Sequence, residues 1–394
     1  MSDPSPPAPF GGVFAGRRVF VTGHTGFKGS WLCLWLKRLG AEATGYAFDP
    51  PTDPSHFAAA GISDTLARDL RGDVRDRAAL AAAIDECDPD LILHLAAQSV
   101  VRTGYEEPFE TFETNVMGTA AVLEAVRTRS ATSGGAPVSV VCVTSDKCYE
   151  NVEQVWGYRE TDPMGDHDPY GGSKGAAELA IRAYRHSFFP TERLGEHGVR
   201  LASVRAGNVI GGGDWTRDAL IVDAVAALRR GESVGLRSPG AYRPWQHVLQ
   251  ALDGYLTSAA ALLTADANDA ERLSAVCSGF NIGPLPGRAL NVREVVETLA
   301  AEWGAGGWED VSDGNHPREA GLLHLSIDRA MWVLGWKPVW DVDEALRQTA
   351  RWYRDCFSLE DAAGGDAGPA AVRALSERQI AGYEAALENR PAAR

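Results

Sequence analysis

Tyr170 and Lys174 stand four residues apart in Pro-Tyr-Gly-Gly-Ser-Lys, a spacing that brings both side chains to one face of a helix. A neighbouring ammonium can lower the pKa of a phenol so placed from about 10, letting the phenolate take a proton from a substrate hydroxyl. Upstream, the apolar β-branched run 138–144 ends in Thr144-Ser145-Asp146-Lys147, which sets Ser145 where it can hydrogen-bond the same hydroxyl. Lysine is scarce here: there are five among 38 Lys and Arg residues, and three of them (Lys28, Lys147, Lys174) fall in motifs of this kind. Arginine holds its proton throughout the accessible pH range, whereas lysine can be tuned to release it. A lysine in such a background marks a place where a titratable amine or compact ammonium is needed, or a chance survivor; Lys37 and Lys337 read as surface residues.

The elements that must carry these groups follow from periodicity. Residues 17–22 read as a buried strand and 27–39 as a helix stopped by Gly40; further strands fall at 41–47, 91–95, 138–144 and 199–205, with helices at 76–86, 108–129 and 169–188. Short apolar strands alternating with helices indicate an α/β fold, a doubly wound parallel sheet of Rossmann type, followed by a smaller mixed α/β domain. The expected division is a flexible tail at 1–16, a dinucleotide-binding domain at 17–205 with 245–275 packing on it, a substrate-side domain at 206–244 and 276–357, and an extension at 358–394.

Between the first strand and first helix lies Gly23-His24-Thr25-Gly26-Phe27-Lys28-Gly29. Glycines there permit a tight turn and close approach of a pyrophosphate, which the helix N-terminus then attracts. Asp49, twenty residues beyond Gly29, is placed to accept from ribose hydroxyls and to repel a 2′-phosphate, favouring NAD, or else is a turn residue before Pro50. Gly72-Asp73-Val74 can place Asp73 and Val74 beside the adenine, or else this segment and the one at 94–98 are plain strand-end loops. Leu95, Ala96, Ala97 and Gln98 end a strand past which the cofactor should run, with Gln98 toward the substrate.

A formal net charge of −15 argues against nucleic-acid and anionic-membrane partners. Six scattered cysteines without a C-x-x-C pair, an N-terminus without an apolar signal region and the lack of a spanning apolar run point to a cytoplasmic protein with no metal site.

The glycine turn, Ser145 and Tyr170-x-x-x-Lys174 resemble the extended short-chain dehydrogenase/reductases that modify nucleotide sugars. The stretches GHTGFKGSW (23–31), TSDKCYEN (144–151), DPYGGSKGAAE (168–178), RAGNVIGGGDW (205–215), RPWQHVL (243–249) and LGWKP (334–338) are similar to the CDP-glucose 4,6-dehydratase branch. The resemblance implies Tyr170 as base toward the sugar 4-hydroxyl, hydride removal from C4 and return to C6, and loss of water from C6. Asp146 would be the acid at C6, and Tyr170 and Lys174 would also touch the NAD. Lys147 stands where related dehydratases carry a glutamate; either a neutral amine takes the C5 proton or an ammonium stabilises the enolate. Asn208, Arg217, Arg243 and His247 are implied on the substrate side, with Gly211–Trp215 as a mobile flap and His316 and Arg318 in a departing motif. A 4-epimerase, a dehydratase for another nucleotide sugar and a non-catalytic NAD-sensing protein are the competing readings. Helices 108–129 and 169–188, with a stripe at Ala176, Ala180, Ala183 and Tyr184, suit a homodimer or dimer of dimers.

Overall fold

The computed structural model describes residues 8–285, 290–312 and 322–390; His316 and Arg318 lie outside them. Its strands are β1 Arg18–Thr22, β2 Glu42–Ala47, β3 Arg68–Arg71, β4 Leu91–His94, β5 Val138–Val143, β6 Val199–Ala206 and β7 Gly279–Ile282. They form one parallel sheet in the order β7-β6-β5-β4-β1-β2-β3. The order reverses between β1 and β4, which opens a crevice at the carboxyl ends of those strands.

The helices that bear on the site and its support are α1 Phe27–Arg38, α2 Arg77–Cys87, α3 Val101–Glu106, α4 Pro108–Phe112, α5 Gly118–Thr132, α6 Pro169–Ser187, α7 Leu220–Arg229, α8 Val248–Thr264, α9 Val292–Trp303, α10 Val342–Ala363 and α11 Pro369–Glu388. Because strand side chains alternate, each strand feeds two cores. Val19, Val21, Leu91, Leu93 and Val141 pack with Trp31 and Trp35 of α1 and with α8. Phe20, Ile92, Val140 and Leu201 face the other side, against Leu80 of α2, Val122 of α5 and Ile181 of α6. Two short parallel pairs, Val209–Ile210 with Gln246–His247 and Val234–Leu236 with Trp308–Asp310, lie beyond the main sheet.

Three sequence expectations change. Gly279–Ile282, assigned by position to the substrate-side domain, adds the seventh strand beside β6, because Phe280 and Ile282 are fully buried there. The tail is not loose where it is described: Phe14 is fully buried and Phe10 packs edge-on against Trp35; residues 1–7 lie outside the described set. The single helix at 108–129 is instead α4, a π-turn at Glu113–Met117 and α5. The wide turn carries the buried Asn115, whose Nδ2 donates to Ser173 Oγ of α6 at 2.8 Å and whose Oδ1 accepts from the Gln98 amide at 2.9 Å.

The C-terminal extension is part of the core. On α11, Tyr383 is fully buried and donates to Asp253 of α8, Glu384 accepts from Trp35 and Arg38, and Ser376 meets His56 and Trp352. Truncation after Gly368 removes these partners and the buried Val372, Leu375 and Ile380. It should lower the thermal midpoint by more than about 5 °C in a circular-dichroism melt.

Candidate active site

The glycine turn is tight for a visible reason. Gly23 has φ +76°, and a Cβ there would meet the Ala96 amide nitrogen at 2.6 Å; one on Gly29 would run into the Gly23 carbonyl. Gly26 brings α1 no side-chain cap, so the first-turn amides of Phe27, Lys28 and Gly29 are left to the crevice, as a pyrophosphate requires. Thr25 donates to the Phe48 carbonyl at 2.9 Å, tying the turn to the end of β2. His24 is fully buried beneath the turn: its Nε2 lies 2.7 Å from Asp69 Oδ1, and burial lowers its pKa, so the ring is neutral and donates. Its side chain therefore faces β3 and not the crevice, contrary to the expectation that it meets the cofactor.

Asp49 is exposed and accepts from Arg71 Nε at 2.9 Å, a partner that the linear spacing does not reveal. Asp73 accepts from the Arg75 amide at 2.8 Å, and Val74 is buried against the helix start at Gly118. Leu95 and Ala96 are held at the end of β4 by Thr22, through its carbonyl and its Oγ1, with Ala97 following. Gln98 Nε2 donates to Thr111 at 2.9 Å, which commits that end of its side chain to the protein. A glycine cradle, uncapped helix start and carboxylate at the end of β2 thus fit NAD.

The catalytic candidates converge. Asp168 caps α6 by accepting from the Tyr170 and Gly171 amides at 2.9 and 3.0 Å, which fixes the first turn where Tyr170 begins. Ser145 lies beside Tyr170 and favours its ionised form, and Lys174 Nζ lies 5.8 Å from the Tyr170 ring centroid. Ser145 donates to Asp146 Oδ1 at 3.0 Å, while Asp146 Oδ2 is buried without a partner. A Cβ on Gly207 would sit 2.9 Å from that Oδ2 and 2.6 Å from Pro244, so Asp146 faces the segments that carry Asn208 and Arg243.

Burial sets the protonation of this cluster. It pushes the Asp146 carboxyl up, against the pull of Lys147, and pushes the Tyr170 phenol up as well. It draws Lys174 down to about 7, with Lys28 adding repulsion. A Tyr170 phenol lowered by Lys174, as the spacing suggests, is thus outweighed here by desolvation. Lys28 is also lowered by burial, against the attraction of Asp146 and Asp214. Lys147 is half-buried.

Beneath these groups lies a buried ion pair that the motifs did not single out. Glu178, one turn beyond Lys174, accepts from Thr144 at 2.6 Å, Ser203 at 2.9 Å and Arg205 Nη2 at 2.8 Å. Burial alone would raise Glu178; the Arg205 guanidinium wins and holds it below the usual carboxylate range. Arg205 also donates to Tyr149, whose hydroxyl meets Asn281 of β7 at 2.6 Å. The one signal in the sequence was the i, i+4 step from Lys174 to a glutamate on an otherwise apolar face.

On the substrate side the structure divides the candidates. Arg243 is buried and donates to the Tyr242 carbonyl at 2.8 Å; Asn208 is half-buried; Arg217 is exposed on the loop after Trp215. His247 is fully buried, its Nδ1 accepts from the Leu249 amide at 3.2 Å as the cap of α8, and its ring packs edge-on against Trp340. It is a helix cap, not a group that reaches substrate. The segment 211–215 is no loose flap: Trp31 Nε1 donates to Gly212 O at 2.9 Å, Tyr353 donates to Asp214 O, and Gly213 (φ +78°) lies under His56.

Two stability measurements check this account. Glu178→Leu leaves Arg205 buried and unpaired and should cost about 3–5 kcal/mol in urea unfolding. Lys174 is charged below about 10.4 when unfolded but only below about 7 when folded. Its burial penalty is therefore complete below pH 7 and vanishes as pH rises toward the unfolded value. Lys174→Met should be the more stable protein at pH 6.5, by at most about 5 kcal/mol, with the gap closing toward pH 10.

Similarity to known proteins agrees with the geometry. A family model described as GDP-mannose 4,6 dehydratase matches residues 20–198. The UDP-glucose 4-epimerase of Rhizobium leguminosarum bv. trifolii is 26% identical over 364 residues, covering 86% of this chain and 98% of its own. The structure of the Streptomyces venezuelae dTDP-glucose 4,6-dehydratase with NAD bound superposes with TM-score 0.68 at 24% identity, covering 85% of this chain and 96% of its own, a likeness of fold. The CDP-glucose 4,6-dehydratase of Salmonella typhimurium is 45% identical over 375 residues, 94% of this chain and 97% of its own. Identity at that level along nearly the whole length settles the branch: the chain belongs to the family of CDP-glucose 4,6-dehydratases.

Proposed function

We propose that the protein converts CDP-glucose to CDP-4-keto-6-deoxyglucose and water, as an NAD-dependent hydro-lyase. The observation that carries this reading is Asp146: a buried carboxyl, pushed toward its protonated form by desolvation, with one oxygen unpartnered beside Ser145 and Tyr170. Oxidation or epimerisation at C4 needs the hydroxyl base alone; elimination at C6 also needs an acid for the departing oxygen.

NAD, when bound, supplies a hydride acceptor for C4 and returns the hydride at C6. The amides of Gly26–Gly29 would hold its pyrophosphate, Asp49 its adenosine ribose, Asp73 and Val74 its adenine, and Leu95–Ala97 the passage along the strand ends. Tyr170, once ionised beside a charged Lys174, takes the 4-hydroxyl proton while Ser145 orients that oxygen. The C4 ketone so formed acidifies the C5 proton, which Lys147 removes. Asp146 passes its proton to the C6 oxygen, which departs as water, and Lys147 returns a proton to C5. Asn208 and Arg243 serve the nucleotide diphosphate, with Arg217 at the mouth; a guanidinium offers two parallel donors to a phosphate.

A second copy of the chain completes the assembly in this reading. Phe109, Met117 and Leu179 are exposed by 78%, 60% and 54%, and the Phe112 ring rests on Gly172 in the same stripe as Ala176 and Ala183. Tyr184 instead turns inward to Glu124. No helix among the described residues is long and apolar enough to cross a membrane.

Mass spectrometry after incubation with CDP-, UDP-, dTDP- and GDP-glucose tests the reaction: loss of one water from the CDP sugar alone is expected, and an isomer of unchanged mass would point to epimerisation. Asp146→Asn should slow water loss by about 10²–10⁴-fold while C4 oxidation persists, so that CDP-4-ketoglucose accumulates. Lys147→Met should abolish deuterium uptake at C5 from heavy water; uptake retained in Lys147→Glu would show that an amine is not required. Phe109→Asp should shift the light-scattering mass toward the single chain.

A further inference from the structure

His56 opens a short helical turn, His56–Ala59, soon after β2, yet its ring is enclosed by the protein at 1% exposure. It stacks flat on Trp31 of α1, with ring centroids 4.7 Å apart and planes 2° from parallel. Nδ1 lies 2.8 Å from Ser30 Oγ of α1, and Nε2 lies 2.9 Å from Ser376 Oγ of α11. Trp352 Nε1 of α10 donates to the same Ser376 oxygen at 3.1 Å. Burial draws the ring pKa down to about 3, so the neutral imidazole donates at one nitrogen and accepts at the other. The ring thus ties α1, α10 and α11 together at fixed distance.

Against that junction lies the 211–214 segment. A Cβ on Gly213 (φ +78°) would come within 2.7 Å of the His56 ring, and one on Gly212 would run into the Trp352 ring. Trp31 Nε1 donates to Gly212 O at 2.9 Å, and a Cβ on Gly211 would sit 3.2 Å from the Phe27 ring. Asp214 Oδ1 then accepts from the Thr216 amide at 2.9 Å, turning the chain toward Arg217. His56 is therefore part of the surface that shapes the backbone between Asn208 and Arg217.

We infer that His56 is a positioning residue for the nucleotide sugar: by bridging Ser30 and Ser376 against Gly213, it fixes the segment whose ends carry Asn208 and Arg217. The inference rests on the assignment of those two residues to the substrate. Because His56 acts on the binding segment and not on Ser145, Asp146 or Tyr170, its loss should weaken substrate binding and leave turnover near its ordinary rate. The fold does not depend on it. Without the ring each serine can still donate to a carbonyl of its own helix, Phe27 O at 2.8 Å and Val372 O at 3.1 Å, so no buried hydroxyl is stranded. What disappears is the tie between helices: a leucine fills much of the volume but makes no hydrogen bond to either serine, and the glycine backbone at 213 can settle toward it.

Calorimetric titration with CDP and steady-state kinetics with CDP-glucose test this on the purified full chain. His56→Leu should bind CDP about 5- to 30-fold more weakly and raise KM by a similar factor, with kcat within about twofold of the unaltered protein. Ser376→Ala, which keeps the ring and removes one tether, should move both quantities the same way by less, and Ser376→Thr, which restores a hydroxyl, should recover them. The double variant His56→Leu/Ser376→Ala should bind CDP no more weakly than His56→Leu, since both cut one link. CDP binding unchanged in His56→Leu, a fallen kcat at unchanged KM, or losses that multiply in the double variant overturn the role of His56. Should His56→Leu fail to fold, Ser376→Ala with unchanged CDP binding overturns it alone. An unaltered protein that does not bind CDP at all would instead overturn the functional reading beneath it.

Discussion

Glu178, with a side chain only 2% exposed, joins three elements that would otherwise meet only through apolar contact. Its carboxylate receives hydrogen bonds from Thr144 at the end of β5 and from Ser203 and Arg205 of β6, while its own backbone belongs to α6. Ser145 directly follows Thr144, and Lys174 precedes Glu178 by one turn. The distance between the Ser145 hydroxyl and the helix that carries Tyr170 is therefore held by one buried charge. Such a pair contributes little net stability over an apolar equivalent, yet breaking it is costly, because the surviving charge stays buried. What it supplies is geometry: the β5 end and the first turns of α6 cannot slide without stranding Arg205. Through Tyr149 and Asn281 the same arginine extends that constraint to β7.

The desolvation that makes this pair rigid also prepares the chemistry. Asp146, Tyr170, Lys174 and Lys28 are all pushed toward their neutral forms by burial. In the role proposed for Asp146 the neutral form is the useful one, since an acid must hold its proton. For Tyr170 it is the resting one, since a phenol surrendering a proton in this environment needs positive charge brought near. Lys174 at about 7 can supply or withhold that charge close to neutral pH.

Much of the site was legible because its signals are local. The Tyr170–Lys174 step lies within one helix that Asp168 starts, Ser145 ends an apolar strand, and the turn at Gly23–Gly29 needs no distant partner to be recognised. The misreadings share a cause. His247 and His24 look like polar groups near chemistry, but one caps α8 and the other is covered by β3, and burial of a side chain is decided by elements far along the chain. Arg71 passed unnoticed since its partners come from β2, from its own strand and from the glycine turn.

The sequence alone determined five of the seven strands, the alternation of strands with helices, the cofactor turn and the candidates for the chemistry, because hydrophobic period, glycine placement and residue chemistry act over a few positions; the short β3 escaped it. Only the tertiary structure decided which carboxyl burial pushes toward its neutral form, which histidine is inside, that Gly279–Ile282 completes the sheet, and that α11 seals α1 and α8. Those outcomes depend on desolvation and on contacts between residues hundreds of positions apart, as between Trp35 and Glu384, and no local pattern encodes them.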